Sequence, residues 1–395
     1  MNIQKQLRRM NVFGFVSCLR VFDAVWVVLL TLRGFPLWQI GLAEGIFHIV
    51  SLVCEIPSGM AADLLGRRRS LALAGLLGAV SAWCMVLSHG FFGVCLSMAL
   101  GALSYNFISG SDEALLYDSL LQAGREGEYV SANARYTQMQ NVGGFLSHAA
   151  SLLTGLFGYV GIYLLDSGIC LARAASALSL TEPTVTRQQK NRQTQPFRDL
   201  GQRFRSHVGE VAAFFRRHPR AVYIMLADGL IGLPSYLTLM FLQQRFHELG
   251  VATIFLGAPA MCIVLARSLG LTIGQRLSVG RIWRLYGVCA AIMGLGTVLT
   301  GSASLLPAVL GAMVAAGALD AWMLHLQKHL NDLFPSDQRA TLVSVNAMGY
   351  SLLMIAASPL VGWLGDVGPT AGTGLTALGG LVAAVGMAVL LFKKK

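Results

Sequence analysis

The chain has 395 residues, of which 55% are hydrophobic and only 12% are charged. Because ordinary soluble domains carry about a quarter charged residues, this composition excludes a typical soluble protein. The net charge of +11 is compatible with a nucleic-acid partner, but the Lys and Arg residues cluster between apolar runs. That placement is typical of membrane proteins, in which basic residues mark one side of the bilayer, so no nucleic-acid partner is expected.

Twelve apolar stretches are each long enough to cross a bilayer, which takes about 20 residues. Since these runs are continuous rather than alternating, they predict helices and not barrel strands. The sequence therefore predicts an all-α membrane protein. The expected spans lie near residues 12–32, 40–64, 70–88, 93–121, 138–158, 162–181, 221–243, 251–275, 282–302, 305–327, 341–363 and 372–392.

The basic residues also predict the orientation in the membrane. With a cytoplasmic N-terminus, most of the 30 Lys and Arg residues fall in cytoplasmic segments, which fixes both termini inside. The first apolar run contains Arg20 and Asp23, so it reads as an uncleaved span and not as a signal peptide. We expect a monomer in the plasma (inner) membrane, with the lipid bilayer as its partner.

One polar and basic stretch interrupts the apolar pattern between the sixth and seventh spans. It divides the chain into an N-terminal bundle (1–182), a cytoplasmic linker (183–219) and a C-terminal bundle (220–395). Apolar residues recur at helical spacing from Leu200 to Phe215, which predicts an amphipathic helix on the membrane surface. A disordered tether is the alternative.

The segment GMAADLLGRRR (residues 59–69) joins the second and third spans. Gly59 and Asp63 would share a helix face, and Gly66 is placed to end the helix. With its lead-in Glu-Ile-Pro-Ser (55–58), the segment resembles the signature loop of the major facilitator superfamily, in one bacterial branch; Leu64 replaces a usual basic residue. The resemblance implies a gating role for Gly59, Asp63, Gly66, Arg67, Arg68 and Arg69.

The resemblance also implies a fold and a gate. The fold would be two six-helix bundles related by a pseudo-two-fold axis, here supported by the recurrence of Asp23 as Asp228 and of Asp112 as Asp320 at a nearly constant offset. In the gate, Asp63 would cap the start of the eleventh span near Thr341 and Ser344. Arg67 would pair with Asp118 at the end of the fourth span.

Ionisable side chains inside the spans are candidates for a substrate or proton site, because each costs about 2.5–3.5 kcal/mol on insertion scales. The resemblance places helices one, four, seven and ten around a central cavity, and most of these ionisable side chains lie on those helices. Asp23 and Asp112 are the best candidates, with Arg20 as a switchable partner of Asp23. A purely structural ion pair or charge network is the alternative. The full set is Arg20, Asp23, Glu55, Asp112, Glu113, Asp228 and Asp320.

Acidic groups outnumber basic ones inside the spans, which favours protons or cationic compounds over anions. Aromatic residues on the same helices could stack on a ligand or simply pack: Trp26, Tyr105, Phe107, Tyr236 and Trp322. We predict a proton-coupled exporter of a small amphipathic or cationic compound that works by alternating access. Uptake by proton symport of a nutrient or vitamin is the alternative, and a membrane sensor or scaffold a more distant one.

Enzyme and metal chemistry find little support. No Walker, Gly-x-Ser-x-Gly or His-Glu-x-x-His motif occurs, so neither an enzyme nor a cofactor is expected. His325 and His329 have a spacing that a metal could use, but they also suit the C-terminus of a helix, and no metal site is predicted. The seven cysteines all fall in apolar spans and read as small buried residues.

Overall fold

The computed structural model describes residues 2–184, 209, 216, 219–277, 282–333 and 339–392. Within them the chain is helical, because continuous apolar runs in a bilayer must satisfy their backbone groups internally. We label the helices in chain order: α1 (Ile3–Cys18), α2 (Trp26–Leu32), α3 (Leu37–Leu65), α4 (Arg67–Leu87), α5 (Phe91–Ile108), α6 (Ser111–Gln122), α7 (Tyr129–Ala149), α8 (Thr154–Ser179), α9 (Pro219–Glu248), α10 (Ala258–Arg276), α11 (Ile282–Thr300), α12 (Leu305–Leu333), α13 (Arg339–Val367) and α14 (Ala371–Phe392).

Eleven stretches of the described chain are long and apolar enough to cross a membrane. One of them, Glu126–Ser179, has 54 residues and includes both α7 and α8. A continuous helix of that length would measure about 80 Å against a hydrocarbon core of about 30 Å, so this stretch is too long for a single crossing. Gly158, inside α8, has a φ of 62° and interrupts the helix.

The helices group into two compact units. Unit 1 comprises Met1–Ala24 and Ile46–Glu210; unit 2 comprises Val25–Gly45 and Val211–Lys395. In unit 1, α4 packs on α5 and α8, and α1 packs on α7. In unit 2, α11 packs on α12 and α14, and α10 packs on α12. The predicted linker, with its amphipathic helix, lies almost entirely outside the described residues.

Two of the predicted continuous spans are broken in the structure. The first span is divided into α1 and α2 by a 3-10 turn at Val21–Ala24. The fourth is divided into α5 and α6 at Ser109 and Gly110, where Gly110 has a left-handed φ of 72°. Apolar periodicity reveals neither break; in the first, polar side chains from other helices satisfy the freed backbone groups.

Candidate functional site

The break in the first span carries the predicted pair of Arg20 and Asp23. Arg20 Nη2 lies 3.2 Å from Asp23 Oδ1, and the guanidinium stands 5.1 Å from the centre of the Phe22 ring. The pair forms at a turn, whereas the sequence predicts a continuous helical span over residues 12–32. Both side chains are more than a third exposed within the protein, so they are accessible to a ligand.

Two side chains from neighbouring helices hold the backbone of this break. The Arg20 amide donates to Ser147 Oγ on α7 at 2.7 Å. The Ser147 hydroxyl lies 3.0 Å from both the Cys18 and the Gly143 carbonyl oxygens and can donate to either. The Val21 amide donates to Asp166 Oδ1 on α8 at 3.1 Å. A buried amide without a partner would be costly, so these bonds are what allows the helix to end before Arg20.

The break in the fourth span places Asp112 in the first turn of α6, where a helix N-terminus favours a carboxylate. Asp112 is buried, with 6% of its surface exposed. Its Oδ2 accepts a 2.6 Å hydrogen bond from the Tyr136 hydroxyl and a longer one of 3.5 Å from Gln140 Nε2. Across the described part of the chain, no cationic side chain forms an ion pair with Asp112.

A single face of α7 contacts both breaks. Tyr136, Gln140, Gly143 and Ser147 fall close to one line along the helix, since their spacings of four, three and four residues match its repeat. Tyr136 and Gln140 bind Asp112, and Ser147 binds the backbone at Arg20. Between them Gly143 packs directly on α1, because a β-carbon there would lie 2.3 Å from the Phe15 carbonyl oxygen. We call this face the α7 stripe.

Glu113 and Glu55 are the other two acids of the predicted set in the first half. Glu113 is exposed although its neighbour Asp112 is buried, as expected for adjacent positions on a helix. Glu55 is partly buried on α3, and Ser58 donates to its backbone carbonyl at 2.9 Å. Neither carboxylate contacts the α7 stripe through any of the hydrogen bonds described above.

In unit 2 the two predicted carboxylates have different partners. Asp228 on α9 accepts a 3.1 Å hydrogen bond from Trp322 Nε1 on α12. Asp320 forms a two-bond ion pair with Arg267 on α10, at 2.9 and 3.1 Å. Trp322 is buried and its ring packs edge-on against Tyr286, which matches the packing alternative for this aromatic residue.

The signature loop between α3 and α4 is held by carboxylates. Arg67 Nη1 forms an ion pair with Asp118 Oδ2 on α6, which is the predicted partner. The amides of Arg67 and Arg68, at the start of α4, donate to the Glu182 carboxylate at 3.0 and 2.7 Å. Gly66 has a φ of 92°, a conformation that favours glycine, and it separates the two helices.

For the remaining predicted gating residues the structure describes few contacts. Arg69 is exposed and Arg68 partly buried. Among the described atoms, none lies within 4 Å of a β-carbon built at Gly59. The side chains of Asp63, Thr341 and Ser344 lie outside what the structure describes, so the predicted cap of the eleventh span stays a prediction.

His325 binds the backbone of a neighbouring helix. Its Nε2 lies 2.8 Å from the Gly274 carbonyl oxygen on α10, and the side chain of His329 lies outside the described set. In the described ranges no group of three or more His, Cys, Asp or Glu residues is arranged to hold a metal ion.

Several residues of the site carried no sequence signal strong enough to find them. Tyr136, Gln140 and Ser147 are uncharged, so a search for buried charges passes over them. Asp166 and Arg173 do stand out as charges inside the sixth span, and both are buried in the structure. That charge is the signal by which Asp166 could have been found.

The sequence matches the family model of the Major Facilitator Superfamily over residues 13–326. The chain therefore belongs to this superfamily of membrane transporters, as predicted, and it is a multi-pass integral membrane protein and not an enzyme. A curated relative, the "Uncharacterized MFS-type transporter YxaM" of Bacillus subtilis (strain 168), is 32% identical over 110 residues, which cover 26% of this chain and 27% of that protein. The chain thus aligns with about a quarter of this relative's length.

Solved structures of transporters share the fold. The nucleoside transporter NupG superposes with a TM-score of 0.75 at 15% identity, covering 100% of both chains. A bacterial homologue of the human lysosomal transporter Spinster, in an inward-facing and occupied conformation, gives 0.74 at 14% identity, covering 98% of this chain and 94% of that one. At these identities the likeness shows the fold alone.

Proposed function

We propose that the protein is a secondary active transporter that works by alternating access and exports a small amphipathic or cationic compound in exchange for protons. Membership in the superfamily supports transport of a small molecule. Its architecture would be twelve spans in two six-helix bundles, with the stretch Glu126–Ser179 supplying two of them. The basic residues favour a plasma (inner) membrane location with both termini in the cytoplasm, and we take the transporter to be a monomer.

The observation that carries the proposal is the environment of Asp112. Its carboxylate is buried, and the side chains that bind it, Tyr136 and Gln140, are neutral donors. In the described part of the chain such a carboxylate has no cationic side chain as counter-charge, so a proton or a cationic substrate would supply one. The Asp112 carboxylate can then bind either a proton or the cationic substrate, and this competition is what couples their movements.

Asp23 supplies the second part of the mechanism. In its ionised form it holds Arg20 at 3.2 Å; protonation would remove this attraction and release the guanidinium. The α7 stripe provides a physical connection between the two groups, since it bonds to Asp112 at one end and to the backbone of Arg20 at the other. Protonation at one break can thus alter the geometry of the other.

The carboxylates of the second half rank lower. Asp320 already has Arg267 as a bidentate partner, which reduces its need for a proton. Asp228 binds the buried Trp322, so its role is at least partly in packing. They are the next pair to test if the first-half acids prove dispensable.

The direction of transport rests on charge alone. Acidic groups in the spans favour a cationic cargo, and export of such a compound against entering protons uses one shared acidic site. Uptake by proton symport uses the same residues and remains the alternative. Cells that express the protein should be grown against a panel of compounds, with both resistance and growth dependence scored, because export gives the first and uptake the second.

The coupling role is tested with Asp112→Asn in proteoliposomes loaded with the compound found in that screen. The amide keeps the size and much of the hydrogen bonding but cannot titrate. Proton-gradient-driven movement should be lost, whereas substrate exchange across the membrane should partly survive. If exchange and expression are lost together, Asp112 is only structural; if Asp23→Asn and Asp112→Asn both leave the pH dependence unchanged, coupling resides elsewhere.

A further inference from the structure

Asp366, near the end of α13, caps the first turn of α3. Its Oδ1 accepts a hydrogen bond from the Leu37 amide at 2.9 Å, and its Oδ2 accepts one from the Trp38 amide at 2.7 Å. The first amides of a helix have no partner within the helix, and the positive end of the helix dipole favours a carboxylate. One side chain therefore satisfies two amides and the dipole together.

The backbones of α3 and α13 touch beside this cap. A β-carbon at Gly362 would lie 2.2 Å from the Leu37 carbonyl oxygen, and one at Gly41 would lie 2.2 Å from the Ser358 carbonyl oxygen. A β-carbon at Gly45 would lie 3.4 Å from the Ile355 carbonyl oxygen. The contact is thus tightest at the capped end and ordinary one turn further along α3. We call these contacts, together with Asp366, the α3–α13 clamp.

The clamp contacts the start of α3, a helix that is divided between the two units. Val25–Gly45 is part of unit 2, whereas the chain from Ile46 onward is part of unit 1. The start of α3 is therefore bonded to a helix from the second half of the sequence, while its remainder packs within the first-half unit. A transporter that alternates between two conformations needs contacts of this kind that can open.

We propose that Asp366 is a gating residue, and that the α3–α13 clamp holds one side of the membrane closed and separates when the transporter opens on that side. The proposal rests on the alternating-access function above; in the predicted orientation, the side is the outer one. The signature loop would hold the other side of the membrane closed. Asp63 lies near the end of α3, whereas Asp366 lies near the end of α13 and caps the start of α3. Each helix has 29 residues, so the two carboxylates mark opposite ends of one helix pair.

The chain contains a matched control for this cap. The Glu248 carboxylate accepts a 3.0 Å hydrogen bond from the Ala371 amide at the start of α14 and pairs with Arg245 at 3.1 Å. The chemistry is the same, but both helices, α9 and α14, come from the second half. Loss of this cap should lower stability without changing the balance between the two conformations.

The test uses a cysteine as a reporter of opening. Ile40, at the end of the first turn of α3, is 1% exposed. Ile40→Cys is introduced into a chain whose seven native cysteines are replaced. The rate of reaction with an impermeant maleimide is measured in right-side-out and inside-out vesicles, without substrate. Asp366→Ala should raise the rate from one side roughly fivefold, the usual effect of removing a helix cap. Asp366→Asn, which keeps one acceptor oxygen, should lie between it and the parent.

Glu248→Ala should leave the rate unchanged. An unchanged rate in Asp366→Ala, or an equal rise in Glu248→Ala, overturns the proposal. If Asp366→Ala does not reach the membrane, Gly41→Ala is used instead and should raise the labelling rate by separating the two backbones. Gly45→Ala is its control and should not raise the rate. Equal rates in these two variants also overturn the proposal. The labelling assay needs no substrate, so the two proposals can fail separately. If Asp366→Ala raises the labelling rate but the protein transports no compound, the proposed function is contradicted and the clamp proposal is not.

Discussion

Tyr136 donates its hydroxyl to the buried carboxylate of Asp112 at 2.6 Å, across two helices that are neighbours in unit 1. Its ring covers Gly14 of α1, where a β-carbon would lie 2.6 Å from a ring carbon. The phenol therefore connects α1, α6 and α7 at a single point. A change in the charge of Asp112 therefore changes the strength of its hydrogen bond with the Tyr136 hydroxyl.

Tyr136→Phe removes the donor and keeps the ring. We expect slower gradient-driven transport and a shift of about one to two pH units in its pH profile, because a hydrogen bond to a charged group contributes about 1.5–3 kcal/mol. Tyr129→Phe on the same helix is the control, since Tyr129 packs against Tyr117 by its ring. Transport measured from pH 5 to 9 checks this; identical profiles for both variants would show that the bond is not used in coupling.

Ser147→Ala removes the acceptor of the Arg20 amide and the donor to the Cys18 carbonyl. The Arg20 amide and the Cys18 carbonyl would then keep only the 3.1 Å hydrogen bond between them, so we expect a loss of about 0.5–1.5 kcal/mol in stability together with reduced transport. The thermal midpoint of the purified protein reports the first effect. Ser131→Ala, an exposed serine near the start of α7 that bonds to the Glu128 carbonyl, should change neither. Equal behaviour of the two variants would exclude a role for Ser147 in holding the break.

Arg67→Gln breaks the ion pair with Asp118 but keeps the amide that Glu182 binds. Transport should fall while expression stays near that of the parent, since α4 remains capped. Exchanging the two charges, Arg67→Asp with Asp118→Arg, should restore part of the transport. Arg125→Ala, which removes an exposed pair with Glu128, serves as the control, because such pairs contribute about 0–1 kcal/mol. No rescue by the exchange would argue against the pair as a gate.

Asp63→Asn tests the predicted cap of the eleventh span. A helix N-terminus favours a carboxylate over an amide, so the substitution should slow transport and leave folding largely intact. Initial rates and the elution profile of the purified protein measure the two effects. Normal rates would count against a gating role for Asp63.

Cysteines at Gln193 and Ser206 test the orientation in the membrane. In intact cells they should resist an impermeant reagent added outside, because the linker is expected on the cytoplasmic side, where single basic residues add only about 1 kcal/mol of lipid attraction each. Labelling after permeabilisation provides the positive control. Ready labelling of intact cells would reverse the assignment of every loop.

Continuous apolar runs predicted the helical class, because they have few alternatives in a bilayer, and the signature loop at residues 59–69 predicted the family. The sequence also pointed to Arg20 with Asp23, since charges in an apolar setting need partners, and the family resemblance implied the pair of Arg67 with Asp118. It did not predict the breaks before Asp23 and Asp112. The break before Asp112 falls at Gly110, with a left-handed φ of 72°, which apolar periodicity does not reveal. The break before Asp23 has a non-local cause: Ser147 and Asp166 lie more than 120 positions along the chain from the amides they bind. The cap by Asp366 was missed for the same reason.

The bond between Asp166 and the Val21 amide links the site to the surrounding lipid. The same helix, α8, presents Leu164, Leu171 and Leu178 as exposed apolar side chains, which suit contact with acyl chains. A helix adjusts its tilt to the thickness of the bilayer, and a tilt of α8 moves the carboxylate that holds the break. Acyl-chain length in a reconstitution mixture is therefore an experimental variable that acts on the turn carrying Asp23, with no change to the protein.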